Sequence, residues 1–347
     1  MNRISAILFG VLIMMMLAGA AESRADETNA RLDIYWIDVE GGAATLLVSP
    51  AGESVLIDTG LPGERDPGRI NKLARDIAGL KRIDHLVITH YDRDHYGGAA
   101  DLSRLIPIGT LYDTGLTEKD KKRVGPDYMN MKVGKRVVLR PGDSIKLKQH
   151  GDGYPPVVFN CLGARQKFIK PTSAHKKNPV CASAEQKAPD KSENGNSIVL
   201  KISMGEFDFL DAADLTWNLE AQLVCPVNLV GKVDVYQVNH HGLASSNNPV
   251  LINSIEPTIA VMNNGDRKGC ATSTVGALRG CKSIKAIYQV HKNLSGDDRN
   301  APAEFVANTE SRKTCNANHI KLSVGPRGDT YIVSVPSTKH EKEYKSK

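Results

Sequence analysis

Residues 83–98, Ile83-Asp84-His85-Leu86-Val87-Ile88-Thr89-His90-Tyr91-Asp92-Arg93-Asp94-His95-Tyr96-Gly97-Gly98, decide the fold. The first seven are rich in β-branched and aliphatic side chains and read as a short buried strand. Residues 97–105 read as a helix leaving that strand's carboxyl end. The polar run between the two therefore sits where layered α/β proteins place their sites. It holds four groups able to ligate a metal, His90, Asp92, Asp94 and His95, within six residues. Exposed loops do collect Asp and His, but a loop has no need of this density beside two glycines that turn the chain into a helix. The alternation sends His90 and Asp92 one way and Asp94 and His95 another, an arrangement suited to two cations.

Working outward, residues 32–39 read as a strand, and residues 44–49 and 54–58 as a hairpin closed by Pro50-Ala51-Gly52-Glu53. Residues 69–82 place Ile70, Leu73, Ile77 and Leu80 on one helical face. After the metal-ligating run, strands are expected at 197–202, 207–210 and 233–238, with a helix at 215–223. Residues 165–194 lose the apolar pattern and carry seven Lys/Arg against three Asp/Glu, so they read as a surface insertion, with a nucleic-acid arm as the other reading. Strands and helices in both halves predict a four-layer αββα sandwich, as one domain over residues 26–347.

The chain has 347 residues, a net charge of +6, 41% hydrophobic and 24% charged residues, proportions that exclude disorder, collagen and coiled coil. Arg3 precedes an uncharged stretch over residues 4–21, with small residues at its end, Ala18-Gly19-Ala20, and again at Ser23-Arg24-Ala25. Residues 1–25 are therefore expected to be a signal peptide, cleaved near Ala21 or Asp26, which places the mature protein in the periplasm or outside the cell. An uncleaved anchor is the alternative. No second apolar run of that length follows, so no stable membrane association is expected after cleavage. Export would let cysteines pair, and the pairing expected is Cys161 with Cys181, tethering the Lys-rich excursion, against two free buried thiols. No Gly-x-Ser-x-Gly elbow or Gly-x-x-x-x-Gly-Lys-Ser/Thr loop is present.

The run His90-x-Asp92-x-Asp94-His95 resembles the signature of the metallo-β-lactamase superfamily, and within it the hydrolase domain of competence DNA-uptake channel proteins. Three further blocks carry the resemblance. They are Asp38-Val39-Glu40-Gly41-Gly42-Ala43-Ala44 with Ile57-Asp58-Thr59-Gly60, then Asn194-Gly195-Asn196-Ser197 with Asp211-Ala212-Ala213-Asp214, and finally Asn239-His240-His241-Gly242 with Ser245-Ser246. Asp92 stands where the wider superfamily has a histidine, and competence-type members are similar to this chain there. Asn196 falls where lactamases and lactonases supply another histidine. The competence-type Gly-His-Pro is replaced by Gly269-Cys270-Ala271, and Ala43 replaces an acidic residue.

The resemblance implies two divalent metal ions, zinc by default and manganese as the alternative because Asp92 adds a hard oxygen. One would take His90, Asp92 and a bridging Asp214. The other would take Asp94, His95, Asp214 and His240, with Asp94 and His241 at the reacting centre and Asp58 orienting the ligand loop from beneath. Asp214 could instead cap the following helix. A hydroxide between the cations would be the nucleophile. His291 reads as structural, and His85, His150, His175, His319 and His340 receive no role. The implied substrate is a phosphodiester, small or nucleic acid, or a related ester. Lactone or β-lactam hydrolysis and a non-catalytic binding protein on the same scaffold are the other readings, and oligomeric state is left open.

Overall fold

The computed structural model describes residues 30–311 and 313–347. The expected signal peptide lies outside them. Two sheets of nine strands each form the centre. The first runs from His340–Lys345 through Thr330–Val335, Ile320–Val324, Leu32–Trp36, Thr45–Val48, Ser54–Ile57, Ile83–Val87 and Ile108–Asp113 to Lys135–Val138. The second runs from Val306–Asn308 through Ala286–His291, Ile259–Met262, Val235–Gln237, Phe207–Asp211, Val199–Met204 and Val157–Ala164 to Ser144–Lys146, with Lys167–Phe168 added on Val157–Ala164. Each sheet is antiparallel on one side and becomes parallel where helices provide the crossovers.

Side-chain alternation builds the layers. Leu32, Ile34 and Trp36 enter the core between the sheets, packing against Phe159, Phe207 and Phe209, whereas Tyr35 points to the opposite face. A second core lies between the first sheet and its helices and holds Ile70, Leu73, Leu102 and Val124. A third lies between the second sheet and its helices, with Leu219, Leu223, Leu251 and Leu278. Three cores separating two sheets and two helical faces make the four-layer αββα sandwich that the sequence predicts. Gln237 links the sheets inside the central core, its Oε1 accepting from Trp36 Nε1 and Thr45 Oγ1 at 2.8 Å each.

The helix expected over 69–82 starts earlier, at Arg65, and runs as Arg65–Lys72 before widening to a π turn over Leu73–Ile77. The expected bridge Cys161–Cys181 is not formed: Cys181 pairs with Cys225. Cys161 lies on strand Val157–Ala164 with its side chain in the core between the sheets, so it cannot reach the outer layer. Cys181 sits on the turn Pro179–Ser183, which packs on the outer helices, and Cys225 ends helix Trp217–Val224 in that layer. Burial pushes the free Cys161 thiol up to about 12, an inert buried thiol. The excursion is largely exposed along its length, but its exit turn is not, and Glu193 and Asn194 are buried. Among the described residues no helix is long and apolar enough to cross a membrane.

Candidate metal centre

The parallel strands of both sheets deliver the polar loops to one place. His90, Asp92, Asp94 and His95 follow Ile83–Val87, Asp214 follows Phe207–Asp211, and His240 and His241 follow Val235–Gln237. Asp92 precedes the short helix Arg93–Tyr96, which carries Asp94 and His95. Close backbone approach is required: a Cβ on Gly42 would lie 2.6 Å from the Asp94 carbonyl oxygen, and the Ala43 amide donates to that oxygen at 3.0 Å. Ala213, His240 and His241 hold left-handed backbone at φ of 49°, 53° and 55°, strain that a loop shaped for its side chains retains.

Asp214 is the hub. Its Oδ2 lies 3.2 Å from His95 Nε2 and 3.5 Å from both His240 Nε2 and His241 Nε2. Asp94 Oδ2 lies 3.3 Å from His241 Nε2 and 3.8 Å from His95 Nε2. His90 Nε2 is buried without a hydrogen-bond partner and lies 3.8 Å from Asp92 Oδ2. Two groups of donors are close enough to share a cation each, His90 with His95 and Asp214, and Asp94 with His95 and His241. The expected grouping therefore differs in detail. His241, not His240, sits with Asp94 and His95, and His95 borders both groups. His240 Nε2 faces Asn194 Nδ2 at 3.3 Å, with Ser245 Oγ 2.9 Å from its Nδ1. Helix Trp217–Val224 has Thr216 at its N-cap, so Asp214 is not its cap.

The electrostatics demand positive charge. Burial alone would raise the Asp214 carboxyl, yet the His95 and His241 imidazoles hold it well below the usual range. His95 is lowered by burial but driven well above the ordinary histidine range by Asp214, Asp58 and Asp94. His90, desolvated and beside His95, falls well below it. A lone pair on buried His90 Nε2 facing a buried carboxylate hub is a donor set that fits a cation, and imidazole with carboxylate suits zinc and its neighbours. Outer partners fix the rings. Asp58 Oδ2 lies 2.7 Å from His95 Nδ1, and the Asn263 carbonyl lies 3.2 Å from His241 Nδ1, each leaving Nε2 free to ligate.

Three participants escape the sequence reading. Arg123 Nη1 lies 2.6 Å from Asp92 Oδ1, Lys268 Nζ bonds Asp94 Oδ2, and Asn194 faces His240. Arg123 and Lys268 lie far along the chain from the motif, and no local spacing could have found them. Asn194 lies in a block that carries the resemblance, two residues before Asn196, which instead bonds Glu193 at 3.1 Å away from the hub.

The family model described as the metallo-beta-lactamase superfamily matches residues 37–158. The chain is 27% identical over 254 residues to the competence protein ComA of Neisseria gonorrhoeae, covering 73% of this chain and 30% of that one. It is 25% identical over 255 residues to the ComE operon protein 3 of Bacillus subtilis, covering 67% and 28%. It thus spans less than a third of the length of either relative. Among solved structures it resembles the metallo-beta-lactamase SMB-1, with a TM-score of 0.38 at 17% identity over 62% of this chain and 82% of that one. On its motif run, its paired sheets and the match over residues 37–158, the chain resembles the metallo-β-lactamase superfamily of metal-dependent hydrolases.

Proposed function

We propose that the chain is an exported, binuclear metal-dependent hydrolase acting on phosphodiester or related ester bonds. The observation that carries the binuclear reading is His95 Nε2 standing between two donor groups, one built on Asp214 and one on Asp94. Bound divalent cations would supply a water of lowered pKa and polarise the ester oxygen. The chain's own residues do the rest. Asp58 and Asn263 set the tautomers of His95 and His241, so that both present Nε2. Asn194 and Ser245 hold His240 at the rim, where an imidazole that is 11% exposed can reach a substrate. Arg123 and Lys268 flank the motif and favour an anionic substrate. Asp92 and Asn196, standing where the resemblance places imidazoles in lactam and lactone hydrolases, support a phosphodiester over a lactone or β-lactam.

The test is one metal-loaded preparation assayed on a bis-aryl phosphodiester, a single-stranded oligonucleotide, a lactone and a cephalosporin. Chelator-sensitive turnover confined to the first two is expected. Turnover confined to the lactone or cephalosporin overturns the substrate reading and leaves the metal centre standing. N-terminal sequencing of the protein from its native cell envelope tests export, and intact Met1 in a washed membrane would favour an anchor.

A further inference from the structure

A second cluster of ligating side chains lies apart from the Asp214 hub. Asp38 and Glu40 follow strand Leu32–Trp36 in the first sheet, His291 closes strand Ala286–His291 in the second, and Cys315 lies on the connection into Ile320–Val324. One donor atom from each falls within 4.8 Å of the others. Asp38 Oδ1 lies 2.6 Å from His291 Nε2, and Cys315 Sγ lies 3.0 Å from Asp38 Oδ2. The side chains of Asp38 and His291 are fully buried and that of Glu40 is 2% exposed.

The cluster is not satisfied by its own contacts. Arg69 Nη1 takes Asp38 Oδ2 at 2.8 Å and Glu40 Oε1 at 3.0 Å, which fills one side. On the other side Glu40 Oε2 is buried without a hydrogen-bond partner and faces His291 Nε2 at 3.8 Å, beyond hydrogen-bond reach. Leaving a buried carboxylate oxygen unpaired is costly. Charge also fails to balance, because Asp38 and Glu40 share Arg69, while the nearby Arg65, which also feels both carboxylates, is paired with Asp66. A divalent cation with Cys315 as thiolate closes both deficits: three anionic groups then meet Arg69 and a doubly charged ion, and Glu40 Oε2 gains its partner. Cys315 would bind such a cation as the thiolate, releasing its proton to solvent.

We propose that Asp38, Glu40, His291 and Cys315 form a separate site for a divalent cation of the zinc class, pinning the first sheet to the second. Sulfur, imidazole and carboxylate donors all suit zinc or cobalt, and a thiolate disfavours magnesium and calcium. The loop that carries Asp38 and Glu40 continues to Ala43, whose amide holds the Asp94 carbonyl at 3.0 Å. The site therefore braces the catalytic loop while contributing nothing to its ligands.

The two centres differ in one donor, since the Asp214 hub contains imidazole and carboxylate alone. Full-length protein, purified anaerobically and loaded with Co2+ alone, should show a thiolate-to-cobalt charge-transfer band. Asp214→Asn should keep that band, so failure of the hydrolase centre leaves this result untouched. Cys315→Ser should abolish it and lower bound cobalt by one per chain, with the circular dichroism unchanged. Glu40→Gln should weaken cobalt at this band by more than about tenfold. No charge-transfer band in the wild type, or full cobalt content in Cys315→Ser, overturns the site and leaves an ion-pair latch closed by Arg69.

Discussion

Asp58 Oδ2 lies 2.7 Å from His95 Nδ1 while Asp58 Oδ1 accepts from the Thr89 amide at 2.9 Å, so one buried carboxylate fixes both the start of the motif run and its last imidazole. Thr89 Oγ1 adds a third bond at 2.7 Å. Removing this support frees the His95 ring to rotate or change tautomer. Asp58→Ala should therefore lower affinity for the cations roughly 10- to 100-fold. Competition against a chromophoric chelator measures it, and wild-type affinity in a folded variant would show that His95 needs no orienting partner.

Asp214→Ala removes the oxygen shared by three imidazoles. At least one cation per chain should be lost, with the far-ultraviolet circular dichroism retained because the helix cap belongs to Thr216. Elemental analysis of the folded variant decides the matter. Full metal content with unchanged turnover would dismantle the proposed centre.

The strand before His90, the hairpin ending at Asp58 and the sandwich were legible because period-two burial and motif spacing are local properties. Asp214 and the His240-His241 pair were legible through resemblance, since each closes a strand in a block of its own. What was missed depends on three-dimensional placement. Arg123 reaches Asp92 from helix Glu118–Asn130, and Lys268 reaches Asp94 across 174 residues of chain. The cysteine pairing failed for the same reason. Cys161 and Cys181 bracket the excursion in sequence, but strand Val157–Ala164 turns Cys161 into the central core. His291 reads as an isolated histidine until the second sheet carries it to Asp38.

The disulfide Cys181–Cys225 closes a sequence separation of 44, which by loop entropy is worth about 4 kcal/mol at most. In oxidised protein, non-reducing peptide mapping should link these two cysteines and leave Cys161 unmodified by an alkylating reagent. Cys225→Ser should lower the unfolding free energy by roughly 2–4 kcal/mol. A Cys161–Cys181 peptide would contradict the observed layering of the chain.

Glu220 gives a pH dependence separate from the metal centre. Burial pushes its carboxyl up to about 7, against hydrogen bonds from the Asn248 and Asn247 amides and Asn239 Nδ2 that pull it down. A carboxyl raised in the folded state binds its proton more tightly there than in the unfolded chain. Its contribution is present in full below the unfolded value near 4.5 and is lost as pH rises through about 7. Wild-type stability relative to Glu220→Gln should therefore fall by roughly 3 kcal/mol between about pH 5 and pH 8. The constant cost of the amide cancels in that difference. Urea midpoints at the two pH values measure it, and a flat difference would mean that Glu220 does not titrate in this window.

Lys268 contacts Asp94 Oδ2, the same oxygen that lies 3.3 Å from His241 Nε2 in the second donor group. An ammonium there occupies one of the carboxylate's lone-pair directions and repels a cation drawn to Asp94, His95 and His241. Among the described residues, the first group, His90 with His95 and Asp214, has no ammonium or guanidinium paired with its carboxylate. The two cations should thus bind with unequal affinity, the weaker one on the Lys268 side. Lys268→Met keeps the aliphatic stem and removes the charge, so it should tighten the weaker phase by roughly three- to tenfold and leave the tighter phase nearly unchanged. Because Lys268 is 37% exposed, the gain should shrink as salt is raised and its charge is screened. Calorimetric titration of metal-free wild type and variant with Zn2+, at low and high ionic strength, resolves both phases. A weaker phase that loosens in Lys268→Met would show that the lysine supports the second cation instead of competing with it.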